Sequence, residues 1–435
     1  MELGDALAWL DRHQNLERML ADARRDPPDP ARMRRLVDVL GHPESAAPAL
    51  HLTGTNGKTS TSRALARLLM AKGLSVGAFT SPHLERVNER IAANGEPIAD
   101  DELARALSDL AGVEPLVGGD SPLTWFEVLT GAALSWFADR PVDASVIEVG
   151  LGGRWDATNV VRASVAVVTN IGSDHAEFLG PTRRHIAGEK AGIIKEGTTL
   201  VLGEEDPDLL PIFEGEHPEQ LWLAGRDWEV RRNQLAVGGR SLDLRTPGAA
   251  YDGVWLALHG RHQAANFAAA VVAAEAFFAE PLPPDLVREV ASTMRSPGRM
   301  EVVGRRPLVI LDGAKNLEGA ASAAATLLEE FGESRSRILV VGMLGGKDPA
   351  EMLRALDVGR ARLVVACPPA APRAQPPEAI AAAAREAGVA TVLADSVPEA
   401  VETALAAAGV DDLVFVTGSL YVVGEARATL GVKPG

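Results

Sequence analysis

The stretch His51-Leu-Thr-Gly-Thr-Asn-Gly-Lys-Thr-Ser60 decides how the rest of the chain is read. Apolar Ala49–Leu52 leads into it, and a helical pattern starting near Thr59 runs on through Leu69. Strand, glycine-rich turn and helix, in that order, make the local frame of a phosphate-binding loop. Gly54 and Gly57 let backbone N–H groups converge on phosphate oxygens without a Cβ in the way. The helix N-terminus adds the positive end of its dipole. In such a loop Lys58 reaches the β- and γ-phosphates, and the Thr59 hydroxyl sits near Mg²⁺. One position departs from the usual G-x-x-x-x-G-K-[ST] spacing: Leu52 stands where the first glycine would be. Taken alone, the stretch also admits a second, less favoured reading as a plain strand-to-helix turn with a solvated lysine.

Around the loop, short apolar runs alternate with helical patterns. Strands are expected at Ala49–Thr53, Ser75–Thr80, Ala144–Val149, Val165–Asn170 and Thr198–Leu202. That rhythm predicts an α/β fold with a mostly parallel sheet and helices on its faces. From about Leu221 to Leu258, turn signals such as Gly238-Gly-Arg and Tyr251-Asp-Gly predict a small antiparallel sheet, followed by a helix over His262–Ala279. After the proline-rich Glu280–Asp285 the rhythm restarts, with strands at Leu308–Leu311, Ile338–Val341, Leu363–Ala366, Thr391–Ala394 and Leu413–Thr417. We therefore expect a large ATPase-type domain over 1–295 and a smaller Rossmann-like domain over 296–435, with Ser296–Gly298 as a hinge. Pro368–Ala379 reads as a surface loop.

Bulk properties narrow the function. The 435-residue chain accommodates two or three domains at roughly 100–200 residues each. A net charge of −16 disfavours non-specific nucleic-acid binding and a membrane-surface role. One cysteine, Cys367, excludes a disulfide framework and a multi-cysteine metal cluster, and a reducing cytoplasm suits it. The N-terminal pattern is amphipathic, without the apolar run of a signal peptide. No apolar interface stripe stands out, so a monomer is expected.

Gly54-Thr-Asn-Gly-Lys-Thr-Ser60 is followed by Thr80-Ser-Pro-His-Leu-Glu-Arg-Val-Asn-Glu-Arg-Ile91. Further along come "IEVGLGGRWDATNVV", "TNIGSDHAEFLG", "EKAGIIK", "HGRHQAANFAAA", "SPGRMEVV", "LDGAKN", "GMLGGKD" and "TGSLYVVGEAR". In series these resemble the folylpolyglutamate synthase/dihydrofolate synthase family of the Mur-ligase superfamily, over roughly residues 14 to 427. The resemblance implies an ATP-dependent amide ligase. ATP phosphorylates a pteroate or folate carboxylate, and the amine of L-glutamate then attacks the acyl phosphate. A carboxylate is a poor electrophile, and phosphorylation supplies its leaving group.

The resemblance also assigns residues. Gly54 to Ser60, with Asn266, Arg299, Asp312 and Lys315, would bind ATP. Ser81, Glu148, His175 and Lys190 would hold Mg²⁺, two ions in all. Lys58, Lys190 and His175 would be catalytic, Lys190 as a carbamate, which needs a lysine whose pKa burial has depressed. Phe126 and Asp156 would face the pterin, one by stacking and one by accepting hydrogen bonds. From the residues alone, Glu148 is a strand-end carboxylate of the kind that faces a ligand crevice. Ser81 reads equally as a turn residue, Lys190 as a surface lysine and Phe126 as core. His83 and Arg86 lie near the same place in the chain.

Three positions depart from the family pattern. Lys315 and Leu317 replace its histidine and proline in "DGAKNL", and Gly346 replaces an aspartate in "GGKD". A lysine still supplies positive charge near the phosphates. Two alternatives compete. One is a Mur-type ligase for another acceptor, disfavoured because the phosphate loop begins too early to leave room for a UDP-binding domain. The other is a non-catalytic nucleotide-binding regulator, for which Lys315 is the sole support.

Overall fold

The computed structural model describes residues 1–15, 30–117, 122–174, 176–332 and 336–433. Strand β1 (Ala49–Thr53) is buried at all five positions. A strand covered on both faces reads as a continuous apolar run, and β1 sits accordingly in the interior of a parallel sheet. That sheet comprises β1, β2 (Val76–Phe79), β3 (Ile91–Ala93), β4 (Glu96–Pro97), β5 (Ala144–Glu148), β6 (Ala163–Val168), β7 (Thr199–Leu202) and β8 (Gln220–Leu223). Their spatial order is β4-β3-β2-β5-β1-β6-β7-β8, parallel from β2 through β8. Leu50 and Leu52 join a core with Leu65, Leu68 and the buried face of helix Arg261–Phe278, while Ala49 faces a second core containing Trp125 and Leu129.

A three-stranded antiparallel sheet, β9 (Glu229–Ala236), β10 (Gly239–Arg245) and β11 (Ala250–Leu256), packs on helix Arg261–Phe278. The third sheet runs β12-β13-β17-β14-β15-β16. It is built from β12 (Glu301–Arg305), β13 (Leu308–Leu311), β14 (Arg337–Val341), β15 (Ala361–Ala366), β16 (Ala390–Leu393) and β17 (Leu413–Thr417). All neighbours there are parallel except β12 with β13. The α/β class, the two parallel sheets and the small antiparallel one stand as expected.

Four details differ from the expectation. Gln220–Leu223 belongs to the large sheet as a parallel edge strand rather than to the small one, because the turn at Gly225 (φ +75°) follows it rather than precedes it. β3 and β4 form a hairpin not anticipated, closed by Asn94 and Gly95, both at positive φ. An Asn-Gly pair suits a tight hairpin turn, but a two-residue β4 leaves no alternating pattern to see. β12, at a sheet edge and half-buried, was likewise unforeseen. The Pro368–Ala379 loop ends early, at Pro377, where a helix starts with proline in its first turn. No described helix is long and apolar enough to cross a membrane.

Candidate active site

The phosphate loop leaves the carboxyl end of β1, and helix Lys58–Ala71 follows it without a side-chain cap. The first N–H groups of a helix have no intrahelical partner, so an uncapped start is an anion site. Both glycines are structurally required. A Cβ on Gly54 (φ +151°) would lie 1.8 Å from Thr169 Oγ1, and one on Gly57 (φ +84°) 2.2 Å from Asn266 Oδ1. Residues after β6 hold the loop from the side: Asn56 N–H donates to Asn170 Oδ1 (3.0 Å) and Gly172 N–H to Thr55 Oγ1 (2.8 Å). Lys58 folds back and donates to the carbonyls of Gly54 (2.8 Å) and Thr55 (3.3 Å). Burial pulls its pKa down to about 8, against the opposing pull of Glu148.

Glu148 ends β5 and is fully buried. Its Oε1 accepts from the Thr59 hydroxyl (2.9 Å), while its buried Oε2 has no partner among the described residues. Burial pushes this carboxyl up to about 7. Ser81 follows β2 and lines the same space. Lys190, in the last turn of helix Arg183–Ala191, is 4% exposed. Burial, and then the positive charge of Lys58, hold its pKa well below that of an ordinary lysine. It is not the surface lysine its local sequence permits. His175 lies outside the described residues.

The opposite wall comes from the third sheet. Asp312, after β13, accepts from the N–H groups of Met300 (2.9 Å) and Ala314 (2.8 Å). A Cβ on Gly313 would sit 2.7 Å from Arg299 Nη1, which places that guanidinium against the same loop. Lys315 is exposed and lines the cleft. Asn266 donates to Gln263 Oε1 (3.0 Å) beside Gly57.

On the other flank, Phe126 packs against Phe79 with ring centroids 5.6 Å apart, so it is both core and cleft wall. Asp156 is buried, and its oxygens accept from Leu151 N–H (2.9 Å), Thr158 N–H (3.0 Å) and the Thr158 hydroxyl (2.6 Å).

These walls enclose one cleft of about 780 Å³. Every expected site residue from Gly54 to Ser60, with Ser81, Phe126, Glu148, Asp156, Lys190, Asn266, Arg299, Asp312 and Lys315, lines it. His83 and Arg86 do not. His83 accepts from Arg90 (2.9 Å), and Arg86 pairs with Asp100. Sequence reasoning missed a knot at the meeting of the two walls. Asp174, 4% exposed, accepts from Lys347 Nζ (2.8 Å) and from Asn316 Nδ2 (3.0 Å), which also reaches Asn56 Oδ1 (3.1 Å). Three acidic and polar motifs, "GSDH", "GAKN" and "GGKD", meet there, a convergence that local spacing does not reveal.

Among the described residues no three His, Cys, Asp or Glu side chains gather to hold a metal. The donor set at Glu148 still fits a hard cation: one buried carboxylate oxygen without a partner, with hydroxyls beside it. Mg²⁺ is commonly held through one or two carboxylates, completed by water and phosphate oxygens.

Comparison with known proteins places the chain in a family. Residues 52–274 match the Mur ligase middle domain and residues 298–420 the Mur ligase glutamate ligase domain. The chain is 37% identical to the dihydrofolate synthase/folylpolyglutamate synthase of Mycobacterium tuberculosis, covering 94% of this chain and 91% of that one. It is 34% identical to the folylpolyglutamate synthase of Lacticaseibacillus casei, covering 92% and 94%. The M. tuberculosis folylpolyglutamate synthase complexed with ADP superposes with a TM-score of 0.92 at 36% identity, over 100% of this chain and 99% of that one. The Escherichia coli FolC structure with DHPP and ADP gives 0.86 at 29%, over 99% and 98%. The chain belongs to the folylpolyglutamate synthase/dihydrofolate synthase family of Mur ligases.

Proposed function

We propose that this protein is an ATP-dependent ligase that joins L-glutamate to the carboxylate of a dihydropteroate or a reduced folate through an acyl phosphate. One observation carries the reading. A single cleft holds an open helix N-terminus, a buried carboxylate oxygen without a partner, and an aromatic-and-acid wall suited to a flat heterocycle. Relatives found with ADP and with DHPP support it.

In this reading the backbone N–H groups of Gly57 to Ser60 take the ATP phosphates. Lys58 leaves its own loop carbonyls for the transferring phosphoryl group, where charge builds. Arg299 and Lys315 neutralise the phosphates from the other wall, Asp312 holds Arg299 in place, and Asn266 lies beside the nucleotide. Glu148, with Thr59 and Ser81, would hold Mg²⁺, which supplies charge neutralisation on the phosphate oxygens. Lys190 is buried with a depressed pKa, which suits a neutral amine able to add CO₂ and release a proton. As a carbamate it would join His175 at a second ion. Phe126 stacks on the acceptor ring and Asp156 takes its N–H edge. The acceptor carboxylate oxygen attacks the γ-phosphorus, ADP leaves, and the glutamate amine displaces phosphate from the carbonyl carbon. The two walls correspond to domains 1–295 and 296–435, and their closure keeps water from the acyl phosphate. A monomer in a reducing cytoplasm fits the acidic surface and the lone, buried Cys367.

The test is ADP release by the purified protein with ATP, Mg²⁺ and L-glutamate, run once with dihydropteroate and once with tetrahydrofolate monoglutamate. Turnover with either acceptor is expected, and the pattern tells which activity the protein has. ATP binding without turnover on either contradicts the reading.

A further inference from the structure

Behind the acceptor wall, two buried polar groups to which the proposed reaction gives no task, His51 and Thr158, are linked by hydrogen bonds to Asp156. Side chains alternate along a strand, so His51 and Thr53 share the face of β1 opposite Leu50 and Leu52. Thr53 donates to the carbonyl of Gly152 (2.8 Å). His51 Nε2 lies 2.8 Å from Thr158 Oγ1, and Thr158 Oγ1 lies 2.6 Å from Asp156 Oδ1. His51 and Thr158 are fully buried and Asp156 nearly so. Strand β1 therefore grips the segment 152–158 at both ends, and the same strand runs straight into the phosphate loop.

The proton directions follow from the chemistry of the groups. Burial raises the pKa of the Asp156 carboxyl, while the hydroxyl and N–H groups that donate to it pull the other way; as a carboxylate it only accepts, and the Thr158 hydroxyl then donates to it. The Thr158 oxygen is then free to accept, which places the proton of a neutral His51 on Nε2. Burial keeps that imidazole neutral, its pKa pulled down to about 3. Nδ1 is then bare, and no described residue bonds to it. Hydrogen bonds in such a chain strengthen one another, and each fixes the rotamer of the next.

We infer that His51 is a positioning residue for the acceptor site: acting through the Thr158 hydroxyl, and alongside the N–H groups of Leu151 and Thr158, it completes the set of bonds that hold the Asp156 carboxylate in one orientation toward the acceptor ring. The inference rests on the reading that Asp156 faces the acceptor. Its consequence is geometric. A carboxylate tied to the strand that carries the phosphate loop keeps the ring end and the reacting end of the acceptor in one frame, and reaction rates are sensitive to misplacement of about 1 Å.

Calorimetric titration of the full chain with dihydropteroate and, separately, with ATP and Mg²⁺ tests this, on His51→Leu, His51→Gln, Thr158→Val, the His51→Leu/Thr158→Val double variant and Asp156→Asn. We expect His51→Leu and Thr158→Val each to weaken dihydropteroate about tenfold and to leave ATP within about twofold. The double variant should be no worse than Thr158→Val alone, because both break one chain. His51→Gln, which offers an amide N–H at similar reach, should recover most of the loss. Should His51→Leu fail to fold, Thr158→Val and His51→Gln carry the test. Normal dihydropteroate binding by His51→Leu beside a loss in Asp156→Asn overturns the inference and leaves the functional reading standing. Normal binding by Asp156→Asn removes the acceptor reading and the inference with it. Equal weakening of both ligands by His51→Leu makes His51 a residue of the fold and overturns the inference as well.

Discussion

The two arms of the cleft are built on opposite principles. On the acceptor arm, Asp156 is buried but accepts from two backbone N–H groups and a hydroxyl, and Thr53 ties Gly152 to the sheet. On the phosphate arm, Glu148 and Lys190 are buried beside the half-buried Lys58, the positive charge of Lys58 disfavours a charge on Lys190, and Glu148 Oε2 has no partner among the described residues. Satisfied buried polar groups rigidify a site, whereas unpaired ones cost stability. The acceptor arm is a finished surface that waits for a shape. The phosphate arm keeps a buried carboxylate oxygen unpartnered, at the place where the proposed reading puts phosphate and metal. Substitutions in the two arms should therefore move stability in opposite directions.

The largest effect belongs to Glu148→Gln. Steady-state turnover should fall by about 10² to 10³, the range seen when one group that stabilises transition-state charge is lost. The ligand-free variant should nonetheless melt higher than the unchanged protein at pH 8. The sign follows from linkage. Glu148 titrates at about 7 when folded, above its ordinary value, so its contribution to stability is present below about pH 4.5 and lost as pH rises through 7. The gain should accordingly be small at pH 5, and Mg²⁺ should raise the melting temperature of the unchanged protein but not of Glu148→Gln. A variant that melts lower at pH 8 breaks the comparison.

Lys190→Ala should reduce turnover by about a hundredfold, and short carboxylates such as formate or acetate should restore part of it. Full activity without rescue removes Lys190 from the machinery. On the acceptor arm, Thr158→Val should lower stability by about 1 to 3 kcal/mol, since it removes the hydroxyl bond to a buried carboxylate and leaves Nε2 of a buried imidazole without its partner; denaturant melts give the value. A stability gain there erases the distinction between the arms.

The smallest effect is the acid limb of the stability curve. His51 and His262 have folded pKa values near 3 and 4, below their ordinary value, chiefly because the protein shields each imidazole from water, His51 fully and the half-buried His262 at its ring. Each contributes stability above about pH 6.5 that is lost as pH falls toward its folded value. His51→Gln should flatten the fall in melting temperature between pH 6.5 and 4, measured by calorimetry across that range. An unchanged slope argues that His51 is not held neutral.

What the sequence made legible was local. The strand, loop and helix around Gly54–Ser60 could be read because their residues are contiguous, and Glu148 because it closes an apolar strand before Gly150. The polar knot at Asp174 was not legible. Asn316 and Lys347 arrive from 142 and 173 residues away, from the other wall. His51 lay inside the decisive stretch itself and still went unassigned, since its partner Thr158 is 107 residues distant. The same reason hid β8: a half-exposed edge strand next to a turn has the texture of an antiparallel sheet, and only its pairing with β7 shows otherwise.

The central claim is that the phosphate loop delivers phosphate to a carboxylate. An acceptor labelled with ¹⁸O in its reacting carboxylate tests it most directly, with ATP, Mg²⁺ and L-glutamate and mass analysis of the inorganic phosphate released. The account predicts one ¹⁸O transferred to phosphate for each amide formed. Amide formation with no label in the phosphate contradicts it.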